Sequence, residues 1–204
     1  MTDAARIGAL PPTVPEAKFV DQLRARGPAA RVLELGTLRW EKDRPTHHRE
    51  WSPEAAWTLS DVEAGTDVDV VADAHDLVRF RPMEGEAGPP FHVEQFDAYV
   101  AVSVYEHLMR PWVAAEQAYS VLKPGGILYV ATHQTFPLHG YPHDYFRFSR
   151  EALEMIFEDA GMEILASGYA YPCRIEPPPE VTRWNRAPDV EAYLNVEVFA
   201  RRPA

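Results

Sequence analysis

The chain has 204 residues, 46% of them hydrophobic and 25% charged, with a formal net charge of -11 and a single cysteine, Cys173. That length suits one domain with a sizeable core, and the acidity opposes non-specific binding to nucleic acid or to an anionic membrane. One cysteine excludes an intrachain disulfide and a cysteine-built zinc site; no run reaches the ~18 apolar residues of a membrane helix, and no secretory signal is visible, so the cytoplasm is the default location.

Residues 1–12 are expected to form a loose arm ahead of a single domain. Thr13 or Val14 before Pro15-Glu16 predicts a helix start, with Phe19, Val20 and Leu23 as its apolar face and Gly27-Pro28 as its end. Arg31 to Gly36, RVLELG, reads as a first buried strand. The span Glu41–Trp51, EKDRPTHHREW, is polar and interrupted by Pro45, so the crossover helix is shortened or replaced by loop. Ala56 to Val62 predicts a second strand, with Asp61 near its C-terminal end, and Val68 to Ala72 a third. The prolines cluster in residues 8–15, 81–90 and 172–188, which read as loops.

Phe96 to Thr132, FDAYVAVSVYEHLMRPWVAAEQAYSVLKPGGILYVAT, organises the rest. Ala98, Val100 and Val102 stand among apolar or small neighbours, as in a strand covered on both faces. Pro111 opens a helix, and Ala115, Ala118, Tyr119 and Leu122 make its buried stripe. Lys123 suits the negative end of that helix, and Pro124-Gly125-Gly126 stops it. Ile127 to Ala131 is the next buried strand, parallel to the first through a right-handed crossover. Ser149 then caps a helix with Leu153, Ile156, Phe157 and Ala160 on its stripe and Gly161 at its end. Glu163 to Tyr171 and Leu194 to Arg201 are the last strands, flanking an excursion that contains Trp184.

The FD before the fourth strand, the EH after it, and LKPGG before the fifth make this segment resemble class I S-adenosylmethionine (SAM) dependent methyltransferases of the methyltransferase type 11 kind. The resemblance implies a Rossmann-like α/β fold, a doubly wound sheet of about seven strands, mostly parallel with an antiparallel last strand. It also implies SAM as cofactor. Glu34 and Gly36 match the family's acidic residue and first glycine, whereas Thr37-Leu38-Arg39-Trp40 replaces the glycines that follow. Asp73 and Ala74 match the turn whose carboxylate meets the adenine amino group. Ser103 and His107 fall in the loop beside the cofactor. Asp61 is placed to accept ribose hydroxyls, as acidic groups do in nucleotide-binding α/β folds, or simply to start a turn. Arg39 or Arg44 is a candidate partner for the cofactor carboxylate.

Methyl transfer to a hydroxyl or amine also needs a base, and imidazole is the natural one near neutral pH. His47, His48, His75, His107, His133, His139 and His143 all fall on loops expected at the C-terminal edge of the sheet. Within HGYPHDYFRF, His139 and His143 with Asp144, together with His133 just upstream, are the candidate catalytic residues. Tyr141, Tyr145 and Phe146 form a possible lid oriented by Asp144 and Arg147. His47 and His48 are read as hydrogen-bonding the strand-five loop. There is no tight metal motif such as H-E-x-x-H, and no metal site is assigned. The expected partner is a small-molecule or sugar-like acceptor, with no nucleic acid and no membrane; oligomeric state is not readable. A methyltransferase-like protein that has lost SAM is the alternative, on the strength of the altered glycine loop. A histidine-built metal hydrolase is a weaker reading. A nicotinamide dehydrogenase is disfavoured because no G-x-G-x-x-G follows a strand.

Overall fold

The computed structural model describes residues 13–41, 45–78, 90–140, 142–175, 180 and 192–204. The expected arm over residues 1–12, Arg44, Tyr141 and Trp184 lie outside these residues.

Helix α1, Val14–Ala25, starts where Thr13 caps it: the Thr13 hydroxyl accepts from Glu16 N at 3.3 Å, with proline in the first turn. Seven strands follow: β1 Arg31–Leu35, β2 Ala56–Asp61, β3 Val70–Val71, β4 Phe96–Val102, β5 Leu122–His133, β6 Glu163–Cys173 and β7 Ala192–Arg201. Helix α2, Pro111–Val121, joins β4 to β5, and α3, Arg150–Asp159, joins β5 to β6. They form one sheet in the order β3-β2-β1-β4-β5-β7-β6. The first five strands are parallel neighbours, and β7 runs antiparallel to both β5 and β6. This is the expected doubly wound sheet with its antiparallel last strand.

Alternate residues of the central strands serve opposite faces. Leu33, Tyr99, Ala101, Leu128 and Val130 pack with α2 and α3. Val32, Ala98, Val100, Ile127 and Tyr129 pack with Phe19, Val20 and Leu23 of α1. Burial on both sides is why β4 and β5 read as nearly unbroken apolar runs. The order reverses between β1 and β4, so the crevice beyond their C-terminal ends is the topological switch point where such sheets bind ligands.

Three local expectations are corrected. Strand β3 is only Val70–Val71, because the Asp69 carboxylate rather than a further ladder carbonyl accepts Leu59 N, at 2.9 Å. Strand β5 begins at Leu122 rather than Ile127. Leu122 pairs with Phe96 across a register shift, and Gly125, at φ 75°, bonds to Arg202 O. Lys123 therefore lies past the end of α2 and binds Asp97 at 2.8 and 2.9 Å instead of facing the helix terminus. Burial alone would raise the Asp97 pKa, but Lys123 and Arg31 N outweigh it and lower it. Between β1 and β2 the only described helical piece is a 3-10 turn, Arg49–Trp51, in keeping with Pro45.

Candidate functional site at the C-terminal edge of the sheet

The loops after β1, β2, β3 and β4 meet at this edge. Gly36 takes φ 77°, and a Cβ there would lie 2.4 Å from Val104 Cγ2, so glycine is what lets the loops after β1 and β4 close together. Ser103 adopts φ 54°, a backbone conformation that costs energy in a non-glycine residue and clusters at functional sites. Beyond Gly36 the chain folds onto the β2–β3 connection. Thr37 Oγ1 donates to Asp67 O at 2.7 Å, Arg39 pairs with Asp67 at 2.6 Å, and the Leu38 side chain packs where a Cβ on Gly65 would sit. Arg39 thus already has an acidic partner from this chain.

Asp61 ends β2 and accepts Leu38 N and Glu63 N, both at 3.1 Å, one on each oxygen. Each oxygen keeps a lone pair for a further donor. Asp73 is exposed and accepts His75 N at 2.8 Å and His75 Nδ1 at 2.7 Å. Burial would raise its pKa, but the bonds from His75 outweigh that and lower it. Ala74 is buried in the core beside it. Glu34 is buried and spoken for: both its oxygens accept His48 N, and Oε1 lies 2.6 Å from His48 Nδ1. His48 therefore ties the loop to β1 rather than to the strand-five loop, because a buried carboxylate on β1 offers a far stronger partner.

The second half of the edge is built on Glu106, which follows β4 in a 3-10 turn, Tyr105–His107, and is fully buried. Its Oε2 accepts Thr132 Oγ1 at 2.7 Å. Among the described residues its Oε1 makes no well-aligned hydrogen bond, although His133 Nε2 lies 3.1 Å away and the two charges are coupled at that distance. His139 Nε2 and His107 Nε2 stand 3.9 and 3.7 Å from the same oxygen. Burial pushes the Glu106 pKa up, but His133 and Thr132 outweigh it and leave it lowered. Burial likewise pushes His133 down, and Glu106 with Asn195 reverses this and raises it.

The segment between β5 and α3 wraps this cluster. Its fold depends on Arg147, which forks onto Asp144 at 2.5 and 2.8 Å and donates to the carbonyls of Phe136, Pro137 and Phe146. Asp144 also accepts His139 N at 2.9 Å. The Arg147 guanidinium holds the Asp144 carboxyl well below the usual carboxylate range. Tyr145 N and Phe146 N donate to Glu106 O, pinning the segment to the loop after β4.

Of the four expected catalytic residues, His133 and His139 meet at Glu106, and Asp144 backs His139. His143 is exposed, with its carbonyl accepting His107 Nδ1 at 2.5 Å and its ring 5.4 Å from Tyr145. Glu106 falls at the ligand-binding end of β4, but the expected catalytic set of His133, His139, His143 and Asp144 does not include it. Its signal was a carboxylate directly after an apolar strand at the ligand-binding end of the sheet. Asn195 and Thr132 carried no comparable signal.

Residues 59–130 match the family model of a methyltransferase domain. No curated protein sequence matches the chain. Solved structures do. A SAM-dependent methyltransferase from Archaeoglobus fulgidus aligns with TM-score 0.56 at 15% identity, over 91% of this chain and 93% of that one. An S-adenosylmethionine dependent methyltransferase from Mesorhizobium loti aligns with TM-score 0.55 at 12% identity, over 92% and 98%. The 1,6-didemethyltoxoflavin-N1-methyltransferase of Burkholderia thailandensis, solved with 1,6-didemethyltoxoflavin and S-adenosylhomocysteine bound, aligns with TM-score 0.58 at 13% identity, over 94% and 79%. At these identities the likeness is one of fold.

Proposed function

We propose that this chain, a class I SAM-dependent methyltransferase by its fold and by the domain match over residues 59–130, transfers a methyl group to a small-molecule or sugar-like acceptor. The observation that carries the reading is the division of one sheet edge into two chemistries. Asp61, Asp73 and the Gly36–Ser103 approach lie on one side; Glu106, His133 and His139 lie on the other. The first set fits a nucleoside: Asp61 keeps lone pairs for two ribose hydroxyls, Asp73 stands exposed for an adenine amino group, and Gly36 allows close backbone approach. SAM supplies the electrophilic methyl, and the thioether leaves as S-adenosylhomocysteine. The chain's own task is to hold the acceptor oxygen or nitrogen in line with that methyl and to receive its proton. The imidazoles around Glu106 are suited to that task, and Asp144 and Arg147 position His139 for it. A small acceptor is also supported by the net charge of -11, which disfavours nucleic acid. The Burkholderia thailandensis structure of this fold holds 1,6-didemethyltoxoflavin together with S-adenosylhomocysteine.

Two observations favour a second reading, a methyltransferase-like protein without SAM. Leu38 N already occupies one oxygen of Asp61, and the loop beyond Gly36 has no further glycine. Calorimetric titration with SAM and S-adenosylhomocysteine separates the two. Micromolar binding is expected, weakened roughly tenfold or more by Asp61→Ala, since a hydrogen bond to a charged acceptor contributes about 1.5–3 kcal/mol. A folded protein that binds neither compound would hand the fold to the second reading.

A further inference from the structure

We propose that Glu106, His133 and His139 form a mononuclear site for a divalent transition metal, of zinc type, with His107 at its border. One ligand atom from each of Glu106, His133 and His139 lies within 4.8 Å of the other two. A tetrahedral zinc with bonds of about 2.0–2.1 Å needs ligand atoms about 3.3 Å apart, so the 3.1 and 3.9 Å separations around Glu106 Oε1 are near what a metal would impose.

The tautomers carry the argument further. His139 Nδ1 lies 3.2 Å from Pro137 O, and His107 Nδ1 2.5 Å from His143 O. A carbonyl only accepts, so both Nδ1 atoms carry the proton and both Nε2 atoms present lone pairs. His133 Nδ1 meets Asn195 Oδ1 at 3.0 Å in the same way. Three Nε2 atoms therefore stand 3.1 to 3.9 Å from Glu106 Oε1, and at most the nearest, that of His133, carries a proton towards it. Acceptor facing acceptor in a buried place is unfavourable without a cation among them. One proton would serve only one pair, and the shortest pair is not aligned for a hydrogen bond. A metal would satisfy Glu106 Oε1, the buried oxygen that otherwise has no hydrogen bond. Nδ1–H bonded to an oxygen acceptor is also what fixes and strengthens an imidazole as a ligand through Nε2.

Two histidines and one glutamate leave a coordination position open. If the methyltransferase reading holds, that position would take the acceptor oxygen, and His133 and His139 would serve as metal ligands in place of the base role. The metal would ease loss of its proton to solvent before the oxygen attacks the methyl. The metal site itself does not depend on that reading.

The test is titration of untagged, chelator-treated protein with Co(II), followed by its visible absorption, together with zinc content by elemental analysis after reconstitution. One metal per chain is expected, with affinity reduced roughly a hundredfold or more in Glu106→Gln and His139→Ala, more than loss of a group that only hydrogen-bonds to a ligand would cost. His92→Ala, a histidine outside the cluster, should bind as the parent does. His139→Ala removes a partly exposed side chain and keeps the test valid if Glu106→Gln fails to fold. A folded parent that gives no Co(II) spectrum and retains no zinc overturns the site. Undiminished binding by both folded variants overturns it as well. SAM calorimetry on the same preparation keeps the two proposals apart: metal without SAM binding removes the methyltransferase reading alone, and SAM without metal removes this one alone.

Discussion

Half-buried between β1 and the 3-10 turn at Arg49–Trp51, His48 is a residue whose ionisation is tied to the fold. Burial works against its charge, yet the hydrogen bond to Glu34 and the charges of Glu34, Glu50 and Glu16 outweigh it, so its pKa is raised above the ordinary 6.5. Its ring also packs 4.3 Å from that of Trp51. A raised folded-state pKa means that folding favours the protonated form. The stabilisation is then complete below the unfolded pKa and fades as pH rises through the folded one. The stability difference between the parent and His48→Gln, read from urea unfolding, should be larger at about pH 6 than at about pH 9. A difference independent of pH would mean that the Glu34 contact holds His48 equally well when neutral. None of this pairing was legible in the sequence. Glu34 stood out as a family-like acidic residue, but its partner sits in a polar loop with no periodicity to place it.

At the scale of the element, the β5–α3 segment was legible in character and not in connection. Residues 139–148 put two histidines, an aspartate, an arginine and several aromatics between a buried strand and a capped helix, and that composition marked a functional loop. What it wraps could not be read. Glu106 meets Thr132 and His133 only because β4 and β5 are sheet neighbours. Arg147 is the tie that gives the segment its shape, holding Asp144 and the carbonyls of Phe136, Pro137 and Phe146. Arg147→Ala should therefore loosen the whole segment while leaving the Asp61 side untouched. Amide exchange at His139, Tyr145 and Phe146 should rise, and methyl transfer to an identified acceptor should fall at least roughly tenfold, with SAM affinity retained. A parallel loss of SAM affinity would show that the segment also shapes the cofactor side.

For the molecule as a whole, the parallel pairing of β4 with β5 was legible in the chain, and the rest of the sheet was implied by the family resemblance of that segment. Strand–helix–strand units with right-handed crossovers demand parallel neighbours, and β7 runs antiparallel to β5 and β6 as the resemblance implied. Coverage of the two sheet faces was harder to foresee, because the stretch after β1, expected as a shortened helix or a loop, shows only the 3-10 turn Arg49–Trp51 among the described residues. Among those residues, the face opposite α2 and α3 rests on α1 and on Trp51. Phe19 is its centre: fully buried, with ring contacts of 5.9, 5.5 and 5.9 Å to Trp51, Tyr129 and Phe199. Phe19→Ala would remove the one ring that joins helix, 3-10 turn, β5 and β7, at a cost of about 3–5 kcal/mol. Both faces share the same central strands, so the loss should lower the stability of the entire sheet. Far-UV and near-UV signals should shift together in a single urea transition with unchanged slope. Separate transitions would instead show that α1 docks as an independent layer, with the α2–α3 face able to stand without it.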